Sequence, residues 1–137
     1  MSMTEPQIHE EIANLIKQHI DQPFHRVWMG LFVDRGSIAS HPRFQTQINE
    51  LTCSSFSLPM EVSLRITKLA AECVVQRAQS GRGAENGLTV ILSDDGSFYV
   101  DYSSHDIVKT GWQPVYDAWD KKYLTGLKLV PGKGPFG

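Results

Sequence analysis

The stretch that most constrains the fold is 88–102, LTVILSDDGSFYVDY, because only one pairing of its two halves gives a consistent apolar face. A two-residue Asp95-Gly96 turn would set Ser93 opposite Phe98 and Thr89 opposite Tyr102, mixing polar with large apolar side chains. A three-residue Asp94-Asp95-Gly96 loop, a type I turn with Gly96 in the left-handed bulge position, pairs Leu92 with Phe98, Val90 with Val100 and Leu88 with Tyr102. A one-residue slip turns every strand side chain over, so the pattern predicts the second register. Thr89, Ile91, Ser93, Tyr99 and Asp101 then share the opposite face.

The remaining elements follow from periodicity and caps. Thr4 caps a helix, with Pro6 early in it and Gln7 completing a capping box. Ile8, Ile12, Leu15, Ile16 and Ile20 form its stripe, and DQPF ends it at about Asp21. HRVWMGLFVD is a strand with Val27, Met29, Leu31 and Val33 on one face and Trp28 and Phe32 on the other, so both sides are at least partly covered. DRGS turns the chain into SIASHPRFQTQI, which Pro42 demotes to an edge or bulged strand. NELTCSSFS reads equally as a short strand or a loop. Pro59 opens a second helix with Val62, Ile66, Leu69, Ala70, Cys73 and Val74 in its stripe, and SGRGAENG is a flexible connector. After the hairpin, SSHDIVKTGWQP is a loop, VYDAWDKKYL a short helix, and residues 131–137 a frayed tail. Helix, strands, helix, strands, helix is the order of a single α+β domain with an antiparallel sheet packed against amino-terminal, central and carboxy-terminal helices.

A chain of 137 residues is long enough to bury a core without metal or disulfide staples. Its net charge of −2 argues against a general nucleic-acid binder, which normally carries a basic excess on one face. The distribution is more informative. Residues 88–120 hold Asp94, Asp95, Asp101, Asp106, Asp117 and Asp120 against Lys109, while residues 121–137 hold Lys121, Lys122, Lys128 and Lys133 and no acid. An acidic surface beside a basic tail suits a charged protein partner. The amino terminus lacks a signal-peptide pattern and no apolar run reaches membrane-spanning length, so the expected compartment is the cytoplasm.

The search for chemistry returns little. SGRGAENG lacks the lysine of a phosphate-binding loop. DDGSFYVDYSSHD matches no calcium-loop spacing, and its middle is a strand whose residues alternate faces. The histidines at 9, 19, 25, 41 and 105 form no metal pair, and Cys53 and Cys73 no CxxC. A Cys53, His105 and Asp106 hydrolase would need a nucleophile elbow or an oxyanion loop, and the sequence has neither. No catalytic residue, metal or cofactor is expected. Trp112, Tyr116 and Trp119 could line a small-ligand pocket. At helical spacing, however, Tyr116, Trp119 and Tyr123 also read as core, and a deep cavity lined by the rings would separate the two readings.

The carboxy-terminal third adds a resemblance. An apolar strand, DDGSFYVDY, the acidic loop SSHD and the terminal WDKKYL together resemble the YezG-like family of bacterial immunity proteins. The matching residues are Asp95, Gly96, Phe98, Val100, Tyr102, Asp106, Trp119, Lys122, Tyr123 and Leu124. YSSHDIVKT departs from the aromatic, acidic run that follows the hairpin in that family. The resemblance implies a non-enzymatic antitoxin that binds a cognate bacterial toxin, often a nuclease, and blocks it by occlusion. Nuclease domains are basic where they hold phosphates, so carboxylates opposite them speed and orient binding. The expected contact is the second face of the hairpin, Tyr99 and Asp101 with Asp106, and Asp94 and Asp95 at the rim; the alternative is that a helix covers this face and the interface lies elsewhere. Direct nucleic-acid binding and membrane association are not expected.

Overall fold

Thr4 starts the first helix as its sequence requires. The Gln7 amide donates to the Thr4 hydroxyl at 3.3 Å, and the Thr4 amide to the Gln7 side chain at 2.8 Å. This helix, α1 (Glu5–His19), buries Ile8, Ile12, Ala13 and Ile16, and stops short of Asp21 because Ile20 turns extended and packs against the same core. The structure, a computed structural model, describes residues 3–34, 37–81 and 85–130. The other elements in it are β1 (Arg26–Asp34), β2 (Ser37–Gln45), β3 (Thr52–Ser54), α2 (Met60–Gln79), β4 (Gly87–Ser93), β5 (Phe98–Ser103), α3 (Ile107–Thr110), α4 (Trp112–Tyr123) and β6 (Lys128–Val130). Arg35 and Gly36 of the expected turn, residues 82–84 of the connector and the tail 131–137 lie outside the described residues.

The fold is a single α+β domain on one mostly antiparallel sheet, ordered β5-β4-β1-β2-β3-β6. Residues 27–32 of the central strand β1 are buried without a break, because helices cover both faces. On one side α1 and α2 seal Val27, Met29, Leu31, Leu88, Val90 and Leu92. On the other, Trp28 and Phe32 pack with Cys53, Ile107, Val115 and Trp119.

The hairpin takes the three-residue register, with Leu92 opposite Phe98, Val90 opposite Val100 and Leu88 opposite Tyr102. Ser93 donates to the Ser97 carbonyl, Gly96 donates to the Ser93 carbonyl, and Gly96 has φ 90°. Four expectations change. Phe98 stands on the apolar face yet is 40% exposed and lies outside the core cluster that α1 and α2 seal. The expected loop after the hairpin contains α3 and the first turn of α4, started by Asp106, whose carboxylate accepts from the Lys109 amide. β6 was not expected; it pairs parallel to β3, so the sheet is not wholly antiparallel. The 52–54 segment is a strand, but it meets β2 only at Phe44 opposite Ser54. Pro42 therefore sits in an interior strand whose outer edge is, among the described residues, unpaired at that point, which is how the missing N–H is tolerated.

Candidate functional site

The tip of the β4–β5 hairpin gathers part of the expected surface. Tyr99 is 62% exposed and projects on the side away from α1, while Phe98 projects on the other. β5 ends the sheet, so among the described residues its outer edge pairs with nothing. The two turn carboxylates are exposed and differ in surroundings. Asp95 accepts from the Ser97 hydroxyl at 2.6 Å and the Ser97 amide at 2.9 Å, and these bonds hold its carboxyl below the usual range. Asp94 lies 3.4 Å from the His25 ring nitrogen.

The other two candidates lie elsewhere. Asp101 is drawn against α4, accepting from the Tyr123 hydroxyl at 2.5 Å and pairing with Lys122 at 3.1 Å. Burial works against its charge, but these partners still hold the carboxyl below its ordinary value. Asp106 starts α3 beyond the far end of β5, roughly 20 Å from the turn at about 3.4 Å per strand residue. The structure thus brings together Tyr99, Asp94 and Asp95, ties Asp101 to a helix and leaves Asp106 apart. α4 covers the hairpin's second face where Trp119 donates its indole N–H to the Thr89 hydroxyl at 2.8 Å, and Tyr99 emerges beyond it.

The rings that could have formed a pocket pack on one another. Trp112 stacks on Tyr116, Tyr116 on His41 at 4.7 Å between centroids, and His41 meets Trp119 edge-on. None of the described cavities is lined by Trp112, Tyr116 or Trp119. His41 donates to Asp120 at 2.9 Å; burial outweighs that carboxylate and keeps the imidazole's pKa below its ordinary value.

Cys53, His105 and Asp106 are not assembled. Cys53 on β3 is four strand spacings, roughly 19 Å, from the β5 side that carries His105. Burial pushes the Cys53 thiol up, the wrong direction for a nucleophile. His105 instead meets the Ser103 hydroxyl at 2.7 Å, and both side chains press on Gly87, where a Cβ would clash with Ser103.

A second polar cluster went unread in the sequence. Glu5, only 8% exposed, accepts from Arg77 at 2.9 Å and from the Tyr102 hydroxyl at 2.6 Å. His9 reaches the same hydroxyl at 2.5 Å, and the Arg77 guanidinium lies 3.7 Å over the Tyr102 ring while also pairing with Glu85. The only signal available was an acid in the first turn of α1. The cluster clamps α1, α2 and β5 together. Among the described residues no group of histidine, cysteine or carboxylate side chains has the arrangement of a metal site, and no helix is long and apolar enough to cross a membrane. No protein-family model and no curated protein matches the chain.

Proposed function

We propose that this chain is a non-enzymatic immunity protein of the YezG-like kind, acting in the cytoplasm by occluding a cognate toxin, a basic nuclease. One observation carries the reading: the exposed Tyr99 on an open edge strand, directly beside the Asp94 and Asp95 turn. A large ring able to be desolvated, rimmed by carboxylates, is the composition of a protein-binding anchor. Carboxylates at that rim would meet the cations with which a nuclease holds phosphate, and a free strand edge offers main-chain pairing besides. Asp106 adds long-range steering. Asp101 contributes less to contact, since Lys122 and Tyr123 already engage it.

The test is co-expression with the product of the neighbouring upstream gene, followed by binding kinetics on the purified pair. Protection of growth is expected. Tyr99→Ala should speed dissociation, and Asp94→Lys with Asp95→Lys should slow association and reduce its salt dependence. Failure to protect would end the toxin-neutralising reading. Protection with unchanged kinetics in both variants would move the interface to another surface.

A further inference from the structure

At the edge of the sheet opposite the hairpin, on the α4 face, the carboxy-terminal end of the helix borders a cleft. There Arg43, Cys53 and Leu129 floor an open cleft of about 350 Å³, walled by Lys121, Leu124 and Leu127. Arg43 stands on β2 opposite Trp28. One of its terminal nitrogens donates to the Pro42 carbonyl at 2.7 Å, but its Nε is buried and, among the described residues, has no acceptor. No described carboxylate forms an ion pair with Arg43. Among the described residues Asp120 is the one acid lining the cleft, and it is hydrogen-bonded to His41. Nε is sealed from solvent, but the second terminal nitrogen also lacks an acceptor among the described residues and is not sealed, so the guanidinium can give an N–H to an acceptor that enters the cleft.

The rest of the cleft defines that acceptor. The planar guanidinium matches an oxyanion, and Lys121 places a second cation at the exposed rim. Leu124, Leu127 and Leu129 supply an apolar wall, Leu129 itself being 51% exposed. The nearby Asp120 disfavours a dianion, and the Cys53 thiol, kept protonated by burial, adds no charge. We infer that this cleft binds a small monocarboxylate carried on a short apolar stem. The inference is independent of the toxin-binding reading, which uses the far edge of the sheet.

Amide and guanidinium nuclear magnetic resonance spectra of the full chain, titrated at matched ionic strength with sodium butyrate, sodium phosphate or sodium chloride, test it. Butyrate should shift the Arg43 Nε–H and the amides of residues 125–127 saturably, with an affinity about tenfold or more above that for phosphate. Lys121→Gln should weaken butyrate severalfold, and Arg43→Gln about tenfold. If Arg43→Gln fails to fold, the wild-type Nε–H resonance and Lys121→Gln decide the matter without it. The absence of saturable shifts would overturn the inference. So would phosphate binding as tightly as butyrate, or butyrate affinity unchanged in the folded variants.

Discussion

Gly30 is the residue on which the α4 side of the sheet depends. A Cβ there would lie 2.8 Å from the Trp119 indole nitrogen, so the missing side chain is what lets the ring reach the Thr89 hydroxyl across β1 and β4. Trp119 is 2% exposed, and its replacement by alanine leaves a large void and takes the indole N–H away from the buried Thr89 hydroxyl. Trp119→Ala should cost about 3–5 kcal/mol in urea unfolding. A loss under about 1 kcal/mol would mean that the ring does not act as core. Gly96 makes a different demand. Its φ of 90° is strained for any residue with a Cβ, whereas its one close neighbour, the Lys17 ammonium 3.3 Å from a Cβ position, sits at the end of a flexible side chain. Gly96→Val should therefore cost roughly 1–3 kcal/mol through backbone strain, and an unshifted denaturant midpoint would contradict the turn.

Among elements, α4 is held at its carboxy-terminal end by a strand carboxylate. Asp101→Asn removes the charged acceptor of the Tyr123 hydroxyl and the ion pair with Lys122, which is 58% exposed and so contributes little by itself. A loss of about 1–2 kcal/mol is expected, with faster hydrogen exchange in α4. Exchange unchanged in α4 would show that this contact does not hold the helix. The same contact marks the limit of what the sequence discloses. α1, β1, α2 and the hairpin register were legible because each element's own residues carry the period or the cap that sets it. β6 was not, since its three residues become a strand only beside β3, with Lys128 donating to the Leu51 carbonyl at 2.8 Å. At the candidate site, Asp94, Asp95 and Tyr99 could be grouped from the turn alone. The engagement of Asp101 by α4 could not, because Tyr123 is 22 positions away, nor could the pairing of His41 with Asp120, 79 positions away. Pro42 marked the segment as an edge or bulged strand, whereas β2 lies inside the sheet order with an unbroken ladder to β1, its other side left unpaired at Pro42 because β3 is so short.

For the whole molecule, three buried or half-buried imidazoles set the acid limit of stability. His9 joins α1 to β5, His41 joins β2 to α4, and His105 closes the far end of the hairpin against Gly87 and Phe32. Burial lowers the pKa of all three, overcoming the neighbouring Glu5 at His9 and Asp120 at His41, and Lys122 adds to the effect at His105. In the unfolded chain each takes a proton near the ordinary 6.5, but in the fold only at lower pH. The unfolded state therefore binds more protons in that window, and stability falls as pH drops from 6.5 toward the folded-state values. Asp95, Asp101 and Glu85 have lowered pKa values from ordinary values of 3.8, 3.8 and 4.5, so the stability they lend disappears only in stronger acid. On the alkaline side burial raises the two thiols above their ordinary 9.0, and stability should decline as pH rises past that point. Urea midpoints measured from about pH 8 down to about pH 5 should hold level at first and then fall, well before the carboxylates titrate. His9→Gln should flatten part of that decline, and so should His41→Gln through a contact on the opposite face of the sheet. A level profile across the whole range would mean that both helical layers accept imidazolium without loss, and that burial is not what governs these rings.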